Sequence, residues 1–195
     1  MSFSSTAECM CELIYSINPE SRNIITFDVR RGRWSLIPAK LPEDLVFCTM
    51  ADRHRSLEAP PRLLQGWNGR VLLVGATTKC PSSPDTITGG SDTSPYNERV
   101  TVGVVWELEP KKLDCWREVA HCPYEMNKGL VDNAWEWRRS TPVVSVCYCG
   151  HGDLVVVMAV GSPRAMQFHV MHEKWEWLDL PNAVNCNLAL CFSPS

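Results

Sequence analysis

A short cycle that occurs three times constrains this chain more than any other feature: a strand-like run, a charged turn, a Trp-bearing strand, then a proline. It first spans residues 25–38, with Arg30, Arg31 and Arg33 in the turn, then Trp34 and Pro38. It returns over 105–123 with Trp116 and Pro123, and over 168–181 with Trp175, Trp177 and Pro181. A Gly-led strand precedes each of the later two, at 68–75 and 152–161. Alternating apolar positions at 24–29 and 166–170 carry the period of half-buried strands. The stretches 70–75, 100–108, 143–149 and 154–160 are short, rich in β-branched residues and bounded by turn formers.

Helical periodicity is confined to 124–130, where Pro123 suits the first turn of a short helix. The expectation is an all-β chain built from repeated four-stranded units. Such units bury their faces against one another, as in a β-propeller. The Trp-to-Trp intervals are 82 residues (34 to 116) and 59 (116 to 175). Both exceed the repeat of about 50 residues common for such blades. The first interval contains a Ser/Thr/Pro/Gly-rich insertion at 77–99, read as a long flexible loop. Residues 1–12 read as a disordered N-terminus and 13–195 as the propeller segment, holding about three to four blades of four-stranded antiparallel sheet. Closed propellers need about four to eight blades. The sequence therefore describes a partial ring with open strand edges, expected to be poorly soluble or oligomeric alone.

The ordered combination Gly69-Arg70-Val71-Leu72-Leu73-Val74-Gly75, Val105-Trp106-Glu107-Leu108, Trp116-Arg117-Glu118-Val119, Gly150-His151-Gly152-Asp153-Leu154 and Trp175-Glu176-Trp177-Leu178-Asp179-Leu180-Pro181 resembles the C-terminal kelch region of plant F-box/kelch-repeat proteins. Leu188-Ala189-Leu190-Cys191-Phe192-Ser193-Pro194 is similar to that family's last propeller strand. The resemblance implies a kelch-type β-propeller that recruits a target protein. It also implies a Skp–cullin–F-box ubiquitin ligase, joined through an F-box docked on a Skp-type adaptor. The family's double glycine is eroded here: Ala76 follows Gly75 and Ser162 follows Gly161. No F-box is found. Leu41-Pro42-Glu43-Asp44-Leu45 imitates the opening of one, but residues 46–61 lack its continuation. The adaptor is a partner only if an F-box lies outside this chain. The alternatives are a stand-alone kelch-like scaffold without a ligase role and, remotely, a metal-dependent oxidase.

Charge narrows the partners. With 19 Lys and Arg against 22 Asp and Glu, the net charge of −3 gives no basic surface for nucleic acid. The longest strongly apolar run, 154–160, is far shorter than the roughly 20 residues a membrane helix needs. The N-terminus shows no signal-peptide pattern. Ten cysteines without an export signal read as reduced thiols of a cytoplasmic or nuclear protein, filling strand cores as small hydrophobes.

No catalytic, cofactor or metal residue is assigned. Cys147, Cys149 and His151 come nearest to a zinc set but lack a fourth ligand. Cys9 and Cys11 are remote in sequence, and the Cys80-Pro81 and Cys122-Pro123 dipeptides are too short to specify haem. Tyr148 and Cys149 occupy opposite strand faces, which denies them the linked pair of copper-radical oxidases. No nucleophile elbow, phosphate loop or zinc-protease motif occurs. The protein-binding candidates are Trp135, Trp137, Arg138 and Arg139, read as a loop carrying residues enriched at interface hot spots. Trp34, Trp116, Trp175 and Trp177 read as the repeat core.

Overall fold

A computed structural model describes residues 13–18, 20–52, 55–66, 69–78, 100–109, 115–137 and 143–180. The disordered-terminus expectation for 1–12, nearly all of the 77–99 insertion, Cys80, Arg138, Arg139 and the 188–194 strand lie outside these residues.

Strands β1 (Leu13–Asn18), β2 (Asn23–Asp28) and β3 (Arg33–Lys40) form a first antiparallel sheet. The second sheet contains the meander β7 (Arg62–Gln65), β8 (Val71–Thr77), β9 (Thr101–Leu108) and β10 (Trp116–His121), with β4 (Leu45–Val46) beside β8. The third contains the meander β11 (Val143–His151), β12 (Leu154–Ala159), β13 (Arg164–His169) and β14 (Lys174–Asp179). It is extended by β6 (Arg55–Glu58) and β5 (Cys48–Asp52). Helix α1 (Tyr124–Trp137) links β10 to β11.

Among the described residues the chain is mostly β, as expected, in several antiparallel sheets with one helix. Four-stranded units appear twice, in sheets of five and six strands; the first sheet has three. The nine-residue β11 explains the largest excess. Val146 to His151 pair with β12, while Val143 to Ser145 pair in parallel with β6. Pro38 does not end its strand as the repeat suggested. It is tolerated because β3 is an edge strand and the register shifts between Asn23 and Ile24, leaving Pro38 at a bulge. The helix also outruns its expected end at 130. Met126, Asn127, Leu130, Val131 and Ala134 recur at helical spacing and are buried or half-buried against the larger core, so packing outweighs the low propensities of Gly129 and Asn133.

The sheets stack face to face in chain order. Ile24, Tyr15, Ile17 and Ile37 on one face of the first sheet meet Leu73, Val104, Trp106 and Trp116 on the second. Leu72, Val74 and Val105 on the other face of the second meet Val155, Val157, Met166 and Phe168 on the third. Every residue of β9 is buried because it is central in the middle sheet. Arg22 ties the first sheet to the second, donating from its guanidinium to the carbonyl oxygens of Pro42 (2.5 Å), Glu43 (3.3 Å) and Leu45 (3.4 Å).

Two hairpins are local copies of each other. Phe27 pairs with Trp34 across β2 and β3, and Phe168 with Trp175 across β13 and β14. Ring centroids lie 4.8 Å apart in the first pair and 4.9 Å in the second. In each, the residue before the Trp strand's first residue is left-handed: Gly32 at φ 61° and Glu173 at φ 51°. Same-length turns thus bring the same ring pair together.

Candidate binding surface

The Trp strands point one way along the stack, each toward the preceding sheet. Trp175 packs on β9 of the second sheet at Gly103, where an added Cβ would lie 3.1 Å from the indole and 2.8 Å from the Cys122 Cβ. Trp177 packs on Gly129 of α1. Trp116 joins the cluster shared with the first sheet. Among the described residues no sheet precedes Trp34, which is 60% exposed and so is not a core residue. Its repeat position is retained; the cover is missing among the described residues.

Between the first two sheets lies an open cleft of about 720 Å³. Trp106, Trp116 and Glu118 share the face of β9 and β10 that forms one wall, placed together by the pairing of Trp106 with Glu118. Cys115 precedes them at the start of β10. Pro38 and Lys40 at the end of β3, with Pro42, Glu43 and Asp44, form the opposite wall. Asp44 is held by the Thr77 hydroxyl at 2.5 Å, and Glu118 lies 2.6 Å from the His121 ring Nδ1. The half-buried Trp116 indole, backed by the buried Trp106, and two prolines therefore stand beside three carboxylates and one ammonium. Such a lining can grip an apolar segment and attract a cation.

Sequence reasoning placed Trp116 here as core but missed the cleft. Its walls come from residues near 40 and near 116, and only sheet stacking joins them. Lys40 falls in no motif, and Glu43 and Asp44 fall in the stretch that imitates an F-box opening, which does not point to a cleft. Trp135 and Trp137 belong to the last turn of α1, not to a loop, because the apolar spacing from Met126 to Ala134 carries the helix on.

The buried polar groups elsewhere serve the frame. Glu107 accepts hydrogen bonds from Arg70 Nε and, at 2.6 Å, from Arg117 Nη2. The Arg70 bond is the main cause that holds its carboxyl below the usual glutamate range, despite burial. Asn127 clamps α1 to the start of β9. It accepts from the Val102 N–H and donates to the Val100 carbonyl, each at 2.9 Å. Burial pushes the Cys122 thiol up to about 12, and its sulfur lies 3.2 Å from the Met166 sulfur.

Cys147, Cys149 and His151 lie on the outward face of β11, opposite Tyr148, which is buried in the larger core. Among the described residues, no group of three or more His, Cys, Asp or Glu side chains is placed to hold a metal ion. No described helix is long and apolar enough to cross a membrane.

No protein-family profile matches the chain, and no curated protein matches it. Among solved structures the chain is similar to "Structure of YjhT", at 9% identity and a TM-score of 0.42. The similarity covers 88% of this chain and 48% of that one, so the chain spans about half its length.

Proposed function

We propose that this chain is a non-enzymatic protein-recognition module, similar to the kelch β-propeller segment by which plant F-box/kelch proteins hold a ubiquitination target. The observation that carries the reading is the cleft between the first two sheets. Its walls offer aromatic and proline contact area beside Glu43, Asp44 and Glu118, with Lys40 as the one cation. That chemistry suits a target segment in which Lys or Arg alternates with apolar residues. Two four-stranded meanders with Trp on the last strand, one at β10 and one at β14, support the propeller reading. The mechanism is positional: the target is held while a ligase assembled elsewhere modifies it.

A specific observation favours the second reading, a scaffold that does not itself dock a ligase adaptor. The stretch that imitates an F-box opening is part of the fold, with Leu41 and Leu45 buried in the smaller core and Asp44 bonded to Thr77. The two leucines are committed inward, and Asp44 is held in the cleft wall. Affinity capture with the full chain, compared with Glu43→Lys plus Glu118→Lys, tests the module: targets retained by the wild type are expected to drop about tenfold in the variant. Unchanged capture overturns the cleft assignment. Co-precipitation of a Skp-type adaptor with the native protein separates the two readings: recovery supports the ligase receptor, and none supports the scaffold.

A further inference from the structure

The two copied hairpins differ in one respect, and it is not local. On β12 to β14 the face carrying Val155, Met166 and Phe168 is fully buried under the second sheet and α1. The equivalent face of the first sheet carries Ile14, Ile25, Phe27, Trp34 and Leu36, related by the same cross-strand pairing. There Ile14 is 46% exposed and Leu36 61%. At matching turn positions, Val29 is 52% exposed whereas Val170 is 6%. The sequence builds one surface twice and covers it once.

At the other end of the stack, the outward face of the third sheet is the counterpart of the face by which the first sheet covers Trp116. It presents Cys147, Cys149, Val156 and Met158 half-buried and Leu178 exposed, with His151, Gln167, His169, Lys174 and Glu176 on the same face toward the β13–β14 turn. Among the described residues, no sheet lies on it. The stack thus ends in two unlike faces: an apolar Trp-bearing front that expects a sheet before it, and a mixed back, apolar at Cys147, Cys149, Val156, Met158 and Leu178 and polar toward the β13–β14 turn, of the kind that covers such fronts.

We propose that a second copy of this chain occupies the exposed front, docking the back of its third sheet there, head to tail. Charge favours this occupant. The β2–β3 turn carries Arg30, Arg31 and Arg33 against Asp28, whereas in the β13–β14 hairpin Lys174 pairs with Glu176 and Arg164 with Asp179, which leaves Glu173 as the carboxylate at the turn. Stacking in the observed series brings the second copy's exposed Met171 over Val29 and its Glu173 toward the arginines. Front against front would oppose two arginine turns, which disfavours a face-to-face dimer. The contact is heterologous, so it closes if the rotation between copies completes a ring and otherwise extends. It leaves the target cleft untouched, since that cleft opens between the first and second sheets.

Sedimentation of the full chain over about two decades of concentration tests the pairing. Leu36→Asp alters the front and Leu178→Asp the back; both positions are exposed, so circular dichroism is expected to remain native. Each variant alone is expected to weaken self-association at least about tenfold. An equimolar mixture of the two is expected to associate again, through the one interface that keeps both native faces. Arg31→Glu, an exposed turn change, is expected to weaken association, and adding Glu173→Arg to the same chain to restore it. A wild type that stays monomeric throughout overturns the proposal. So does a dimer sensitive to Leu36→Asp and indifferent to Leu178→Asp, which would be front to front.

Discussion

Asn127→Ala measures how firmly the helix is bonded to the middle sheet. The side chain is buried and makes two 2.9 Å hydrogen bonds, one from the Val102 N–H and one to the Val100 carbonyl. Truncation leaves a buried donor and acceptor without their partner. Each such group costs about 1–3 kcal/mol, and the two together about 2–4 kcal/mol after local relaxation. For a chain of this size that corresponds to a Tm lower by roughly 5–15 °C. Urea denaturation followed by intrinsic fluorescence is expected to show a lower midpoint with an unchanged slope, as when stability alone changes. Lys128→Ala, exposed one residue along the same helix, is the control and is expected to stay within about 0.5 kcal/mol. An Asn127→Ala midpoint matching that control would refute the idea that this amide fastens α1.

Glu107→Gln is expected to destabilise by about 1–2 kcal/mol at neutral pH, discounted because Arg117 is exposed. The folded carboxyl titrates below the unfolded value of about 4.3, so its contribution is present above that value and is lost as pH falls through the folded one. Wild type and variant should therefore converge in acid, as denaturation midpoints across pH will show. Gly103→Val forces a side chain into the Trp175 seat and is expected to cost about 1–3 kcal/mol or more by overpacking; an unshifted thermal midpoint would contradict the seat. Cys122, buried and held as a thiol, is expected to resist alkylation in the native state and to react on unfolding, as peptide mass spectrometry can read.

The hairpins were legible because their signals are local: alternation, a charged turn, and a Trp at a fixed offset from a Phe. The four-stranded meanders followed from the Gly-led strands before them. What escaped was set by partners distant in sequence. Trp34 and Trp175 stand at the same offset from a Phe and a Val in hairpins of the same length, and the presence of β9 at one and not the other decides their burial. The length of α1 was hidden because Gly129 and Asn133 are poor helix formers, while the contacts that compensate come from the sheets. The cleft was illegible for the same reason, since Lys40 and Glu118 acquire a common purpose only once the first and second sheets stack.

The divided pairing of β11 has a temporal consequence. Residues 143–145 are bonded to residues 56–58, made far earlier in synthesis, while residues 146–151 are bonded to residues 154–159, made later. As the chain emerges, the β5–β6 ribbon waits with an open edge through the synthesis of β7 to β10 and α1. Such a waiting ribbon is a hazard for misassembly and slows folding through long-range closure. Once β11 arrives it acts as a zip fastened from both sides. A cut between β10 and β11 would then leave the two pieces held together rather than set them loose.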